Sequence, residues 1–319
     1  MIEVHDLRRT WGDIAAVDGV TFEVTEGEVF GFLGPNGAGK TTTINMLCTL
    51  LRPSAGTATV NGFGIVEQRS DVRRSIGLVF QQTTLDDALS AEQNLRFHAY
   101  AYGVPADARE TRLRELLTLV ELWDRRSDRV RTFSGGMKRR LEIARGLLHH
   151  PRVLFLDEPT LGLDPQTRRR IWEYLGDLRA REGLTIFMTT HYMDEAEQCD
   201  RIAVIDRGEI VALDTPARLK GAVGGDVVTI NTPDREAAAT ELRARFGLEP
   251  VIADDAISFQ VQGGEAFLPD FVRSFGRPIY AIGLRRPTLD DVFVHLTGRE
   301  IRDAGSENGS ATPVGGRSR

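Results

Sequence analysis

Gly34-Pro35-Asn36-Gly37-Ala38-Gly39-Lys40-Thr41 matches G-x-x-x-x-G-K-[ST] in full. An apolar, strand-like run, Val29 to Leu33, precedes it. Ile44, Leu47, Cys48 and Leu51 follow at helical spacing, so one face of the next segment is buried. Strand, glycine-rich turn and helix in that order read as a phosphate-binding loop. Gly34, Gly37 and Gly39 let the backbone curl so that successive N–H groups point at an anion. The helix N-terminus adds its partial positive charge at the same spot. Lys40 is expected to reach the β- and γ-phosphates of a nucleotide, and the Thr41 hydroxyl to ligate magnesium. Pro35, Asn36, Ala38 and Thr42 complete the expected nucleotide-binding stretch.

Further along, Val153-Leu154-Phe155-Leu156 is a continuous apolar run, the pattern of a strand buried on both faces. It ends in Asp157-Glu158. Two carboxylates at the carboxyl end of a central strand lie where open α/β sheets bind ligands. Asp157 is expected to hold magnesium through water, and Glu158 to polarise the water that attacks the γ-phosphate. Ser134-Gly135-Gly136 precedes a helix with an apolar face of Met137, Leu141, Ala144 and Leu148. Ser134 suits an N-cap, but two glycines in a first turn cost helix stability. That cost makes sense where bare backbone must approach something closely. The helix start is thus a second candidate anion site, and two phosphate sites in one chain suggest a head-to-tail dimer.

The 319 residues fit about two domains, with 40 basic against 46 acidic side chains and a net charge of -6. An acidic balance argues against a nucleic-acid partner. The start shows no signal-peptide pattern, and no apolar run approaches the ~18–20 residues needed to cross a bilayer. A soluble, cytoplasmic chain is expected. Cys48 and Cys199 are too few and too far apart for a disulfide framework or a metal site.

Residues 1 to about 222 alternate short apolar runs with helical patterns, as in an α/β domain with a largely parallel sheet. Residues 85–150 interrupt this with helix-like sequence only, which predicts an inserted helical subdomain; Ser90 with Gln93 resembles a capping box there. A second, small α+β unit is predicted from about Asp226 to Gly298. Its strands are Val227–Ile230, Ile257–Val261 and Ile279–Ile282, and its helices Asp234–Phe246 and Gly264–Phe275. A last helix through Leu289, Val292, Phe293 and Leu296 has Thr288 as N-cap and Gly298 as stop. Residues 303–319 read as a disordered tail.

The sequence resembles the nucleotide-binding subunit of an ATP-binding cassette (ABC) transporter over residues 1 to about 222. Phe133-Ser134-Gly135-Gly136-Met137 matches the family signature, with Phe133 where Leu is usual, and Val153–Thr160 matches its Walker B strand. Gly162-Leu163-Asp164 resembles the D-loop, and His191 after Thr189-Thr190 the switch histidine. Gln81 after Ile76–Phe80 resembles the Q-loop glutamine, a magnesium ligand, with Gln82 the alternative one residue on. Trp11, where Tyr is commoner, falls where the family stacks a ring on adenine; a packing tryptophan is the other reading. His191-Tyr192-Met193-Asp194-Glu195 and Pro287–Phe293 resemble the bacterial drug- and antibiotic-exporter branch, typified by daunorubicin-resistance ATPases.

The resemblance implies a P-loop NTPase cassette that binds ATP and Mg2+ and forms a homodimer through ATP. It implies a separate integral-membrane permease as partner and a place at the cytoplasmic face of the cell membrane. It also implies hydrolysis at Glu158 with His191 sensing the γ-phosphate, Ser134, Gly135 and Gly136 completing the other copy's site, and Asp164 coupling the two.

Overall fold

The computed structural model describes residues 1–252 and 256–298; the tail expected at 303–319 lies outside the described residues. The chain opens with β1 (Ile2–Trp11), β2 (Ile14–Val24) and β3 (Val29–Leu33), followed by α1 (Lys40–Leu47). Next come β4 (Ala55–Val60), β5 (Phe63–Gly64), α2 (Arg69–Ser75) and β6 (Ile76–Val79). The stretch expected to be helical holds α3 (Ala91–Ala101), α4 (Ala106–Leu119) and α5 (Gly135–Gly146). Strand–helix alternation then resumes with β7 (Val153–Asp157), α6 (Pro165–Glu182), β8 (Thr185–Thr190) and α7 (Met193–Ala196). It ends in β9 (Arg201–Asp206), β10 (Glu209–Asp214) and α8 (Pro216–Ala222).

Six strands form one sheet in the order β10-β9-β3-β8-β7-β6, parallel except for the edge pair β10–β9. Every residue of β3, β7 and β8 is buried, because both faces of the sheet are covered. Register decides what these strands deliver. Leu33 pairs with Thr190 and Asp157 with Thr189, so three strands end level and their loops leave the same edge.

One face of this sheet packs on α5, α6 and the inserted helices through Leu33, Leu154, Leu156, Ile186 and Met188. The other meets a second sheet, β2-β1-β4-β5, which is wholly antiparallel. Between the two layers Phe187 lies 5.4–5.9 Å, centroid to centroid, from Phe22, Phe30, Phe32 and Phe155. The largely parallel sheet is as expected, and this antiparallel layer adds to it. Its β1–β4 ladder joins Ile2 to Val60, a pairing with no local signal.

Local chemistry was easier to read. Ser90 Oγ accepts from Gln93 N at 3.1 Å while Ser90 N donates to Gln93 Oε1 at 2.9 Å, closing the expected capping box of α3. Helix α1 stops at Leu47 with Cys48 as C-cap, so Leu51 lies beyond the helix.

The rest of the described chain is β11 (Asp226–Asn231), α9 (Arg235–Phe246), β12 (Val251–Ile252), β13 (Ile257–Val261), α10 (Gly264–Ser274), β14 (Ala281–Arg285) and α11 (Leu289–Thr297). Its strands form a separate antiparallel sheet, β12-β13-β11-β14, over a core of Val228, Ile230, Phe259 and Phe271. The last strand begins two residues later than expected. Helix α11 has the foreseen Thr288 cap and ends at Gly298, whose φ is 72°. It packs on α8 and α7 and buries Leu289, Val292 and Phe293 in the core that underlies the six-stranded sheet, while its Asp291 pairs with Arg285 of β14.

Candidate active site

The loop between β3 and α1 is shaped by two glycines. A Cβ on Gly34 would lie 2.3 Å from the Ile205 carbonyl oxygen, and one on Gly39 2.5 Å from that of Ala16. Gly39 also has φ 106°, a conformation that a side chain resists, and it caps α1. Lys40 folds back across the loop, donating to Gly34 O at 2.7 Å and Pro35 O at 3.1 Å. Its Nζ lies 3.3 Å from Glu158 Oε1. Burial pulls the ammonium below its ordinary pKa, and Glu158 opposes that pull.

Asp157 ends β7 beside the start of α1. Its Oδ1 accepts from Thr189 Oγ1 at 2.6 Å and from Thr41 Oγ1 at 3.2 Å. Burial pushes its carboxyl up, against the pull of these two hydroxyls. Glu158 follows with φ 46°, a left-handed backbone that costs a non-glycine residue about 1–3 kcal/mol. Its N–H is held by Thr189, through the carbonyl at 3.2 Å and the hydroxyl at 3.0 Å.

Three side chains converge on the Glu158 carboxylate. Gln81 Nε2 donates to Oε2 at 3.1 Å, while Lys40 Nζ and His191 Nδ1 each stand 3.3 Å from Oε1. Burial raises the pKa of this carboxyl, but His191 and Lys40 outweigh burial and leave it below its ordinary value. Glu158 is therefore ionised at neutral pH, as a proton acceptor must be.

This cluster borders a cavity of about 740 Å³, lined by Pro35, Asn36, Gly37, Gly39, Lys40, Thr41, Thr42, Gln81, Glu158 and His191 among others. Gly34 and Ala38 are buried in the frame beneath it. Asp157 borders an adjoining groove with Trp11, Thr41, Thr42, Gln81 and Gln82. Of the two glutamines, Gln81 is the one whose amide reaches Glu158. Trp11 is 47% exposed at the end of β1, its ring 4.8 Å from the Arg9 guanidinium carbon, so it is no core residue.

Ser134, Gly135, Gly136 and Asp164 do not line the cavity. They gather in a second cluster where α5 meets α6. Ser134, exposed, caps α5 by accepting from Met137 N at 3.3 Å. Asp164 caps α6, accepting from Thr167 N at 3.0 Å and from Thr167 Oγ1 at 2.6 Å. The close approach that Gly136 permits is to this same Thr167, whose Cγ2 would lie 2.4 Å from an added Cβ.

Sequence reasoning missed Thr189, which ties both carboxylate residues to β8. Two threonines closing an otherwise apolar strand were the available signal. It also assigned no role to Ala16, Leu161 or Tyr192 in the cavity wall.

Known proteins share this sequence and fold. The ABC transporter family pattern matches residues 17–161. The chain is 40% identical over 311 residues to the daunorubicin resistance ATP-binding protein DrrA3 of Streptomyces coeruleorubidus, covering 95% of this chain and 98% of that one. It is 41% identical over 304 residues to the Nod factor export ATP-binding protein I of Burkholderia orbicola, with the same two coverages. Among solved structures, the dimeric post-hydrolysis state of the ATP-binding cassette MJ0796 bound to ADP and Pi superposes with a TM-score of 0.61. That match is at 28% identity, over 67% of this chain and 98% of that one. A phosphate loop, a carboxylate and a histidine around one cavity, in a chain matched along nearly its whole length by such relatives, place this protein in the ABC transporter family as an ATP-binding subunit, a transport ATPase.

Proposed function

We propose that two copies of this chain close on two ATP–magnesium at a shared interface, and that their opening drives a separate integral-membrane permease that exports a drug, antibiotic or similar amphiphile. The observation that carries this reading is the convergence of Lys40, Gln81 and His191 on Glu158 at the mouth of the phosphate loop. Residues 1–222 act as the cassette, with a helical subdomain at about 85–150, and residues 226–298 as an accessory module. The names of the relatives, which speak of drug resistance and Nod factor export, support an amphiphilic cargo. Among the described residues no helix is long and apolar enough to cross a membrane, which suits a peripheral subunit on the cytoplasmic face. A nucleic-acid partner does not fit the acidic balance.

The loop N–H groups and Lys40 hold the β- and γ-phosphates, and Trp11 stacks on the adenine. The Thr41 hydroxyl and Asp157 carboxylate, 3.2 Å apart with Gln81 beside them, form the oxygen-rich corner that magnesium requires. When bound, the metal offsets charge on the phosphate oxygens. Glu158 orients a water against the γ-phosphorus and takes its proton as the bond to the β–γ bridging oxygen breaks. His191, in contact with Glu158, senses the γ-phosphate. Ser134, Gly135 and Gly136 of the other copy complete each pocket, and Asp164 couples the two. ATP favours the closed pair because it binds that state better; hydrolysis removes the bias.

The test is affinity capture from gently solubilised native membranes with Glu158→Gln held in ATP–magnesium. A multi-spanning membrane protein should be recovered. Ribosomal or DNA-bound partners without any membrane protein would overturn the transport assignment.

A further inference from the structure

Arg139 lies in α5, three residues after Gly136, and is only 6% exposed. Its Nε donates to Pro159 O at 2.5 Å, and its Nη2 to Asp157 O at 3.1 Å and Glu158 O at 2.9 Å. Its Nη1 donates to Phe80 O and, at 3.1 Å, to Glu142 Oε2. Five bonds occupy the five N–H groups of the guanidinium. Glu142, 1% exposed, completes the arrangement, its other oxygen accepting from Thr84 N at 2.7 Å. One buried pair on the α5 helix therefore grips backbone on both sides of Gln81 and the backbone that carries Asp157 and Glu158. Neither side chain lines the cavity.

A buried ion pair is poor evidence for stability, since apolar residues of similar volume often serve as well. What apolar residues could not do is hold four carbonyls in a fixed pattern. The arrangement also falls where the backbone is least at ease. Glu158 has φ 46°, its N–H is anchored by Thr189 and its carbonyl by Arg139. The Glu158 carbonyl also accepts from Leu161 N at 3.2 Å, so without Arg139 only that turn bond holds the peptide, which can then relax and swing the carboxylate.

We infer that Arg139 is a positioning residue for ATP hydrolysis. Its guanidinium locks the left-handed backbone of Glu158 and ties it, with the Gln81 loop, to the helix that Ser134 begins. A rotation of α5 is then felt by both loops at once, so the water-activating carboxylate and the Gln81 segment move as one piece. This inference rests on Glu158 as the hydrolytic carboxylate.

The test measures steady-state ATP hydrolysis by the full chain carrying Arg139→Lys, and separately Arg139→Met/Glu142→Leu. The lysine keeps a cation opposite Glu142 but cannot span carbonyls of two loops from one nitrogen. The double variant removes the buried pair and keeps the volume filled. In each, kcat should fall about 100-fold, the cost of displacing a reacting group by ~1 Å. KM for ATP should stay within about twofold, because no nucleotide contact is lost. A folded variant, shown by a cooperative melt, with wild-type kcat would overturn the inference. So would a lowered Tm with unchanged kcat, the signature of a merely structural pair. If the double variant does not fold, Arg139→Lys decides. Glu158→Gln is run alongside: near-normal turnover there removes Glu158 as the carboxylate and this inference with it. Turnover abolished by Glu158→Gln but intact in Arg139→Lys refutes the backbone lock alone.

Discussion

Gly136→Ala should destabilise the protein, and Thr167→Ser should repair the damage. The added methyl would lie 2.4 Å from Thr167 Cγ2, against ~3.5–4.0 Å for carbons in contact, so something must move by more than ~1 Å. Rotating Thr167 relieves the overlap but pulls its hydroxyl from Asp164, where it donates at 2.6 Å to the residue that caps α6. Overpacking of this kind costs about 1–3 kcal/mol and the lost hydrogen bond about 1 kcal/mol. Alanine returns up to ~1 kcal/mol of helix propensity, leaving a net loss near 2 kcal/mol. At roughly 2–4 °C per kcal/mol for a chain of this class, Tm should drop by about 4–8 °C. Serine at 167 lacks the offending methyl and keeps the hydroxyl. The double variant should therefore melt at or above the wild-type temperature, followed by calorimetry or circular dichroism. If Thr167→Ser leaves the melt of Gly136→Ala unimproved, the glycine is not there to admit Thr167, and the packing account fails.

Lys40→Ala should abolish ATP hydrolysis and weaken ATP binding in a nucleotide-binding titration; near-normal turnover would refute the phosphate-loop assignment. Trp11→Ala should lower ATP affinity with the fold intact, and unchanged affinity would demote the ring from adenine contact. Burial raises the Asp291 carboxyl, but Arg285 and Thr288 outweigh it and hold its pKa below the ordinary 3.8. A depressed carboxyl contributes stability in full above its unfolded pKa and loses it as pH falls through the folded one. Asp291→Asn should therefore lower the urea midpoint near pH ~7, with the gap to wild type closing toward pH ~3; a constant gap would rule out the carboxylate as the source.

What could be read from sequence was what lies within a few consecutive residues. The phosphate loop, Asp157-Glu158 and the histidine after β8 announce themselves because each is a short run on one strand end, and parallel register does the rest. The capping box of α3 and the Thr288 cap of α11 were legible for the same reason. The antiparallel sheet was not, since β1 pairs with β4 across some fifty positions and its alternation resembles any half-buried strand. Arg139 hid in a different way. A charged residue among Lys138 and Arg140 reads as a solvated helix face, and only the loops packed over it reveal its five bonds. Helix α11 carries no local sign of its partners, because the core that Leu289, Val292 and Phe293 fill is set by the distant α7 and α8.

That last helix also constrains the order of assembly. Leu289, Val292 and Phe293 fill the same core as Leu33 and Ile186, so a core begun by β3 is closed by residues made some 260 positions later. A chain emerging from the ribosome carries an open apolar trough between α7 and α8 until the whole intervening module has been synthesised. Such long-range closure slows folding and leaves the nascent cassette exposed to misassociation. A fragment cut after α8 inherits that exposure permanently. The accessory module is thus also the spacer that sets how long the cassette must wait to become watertight.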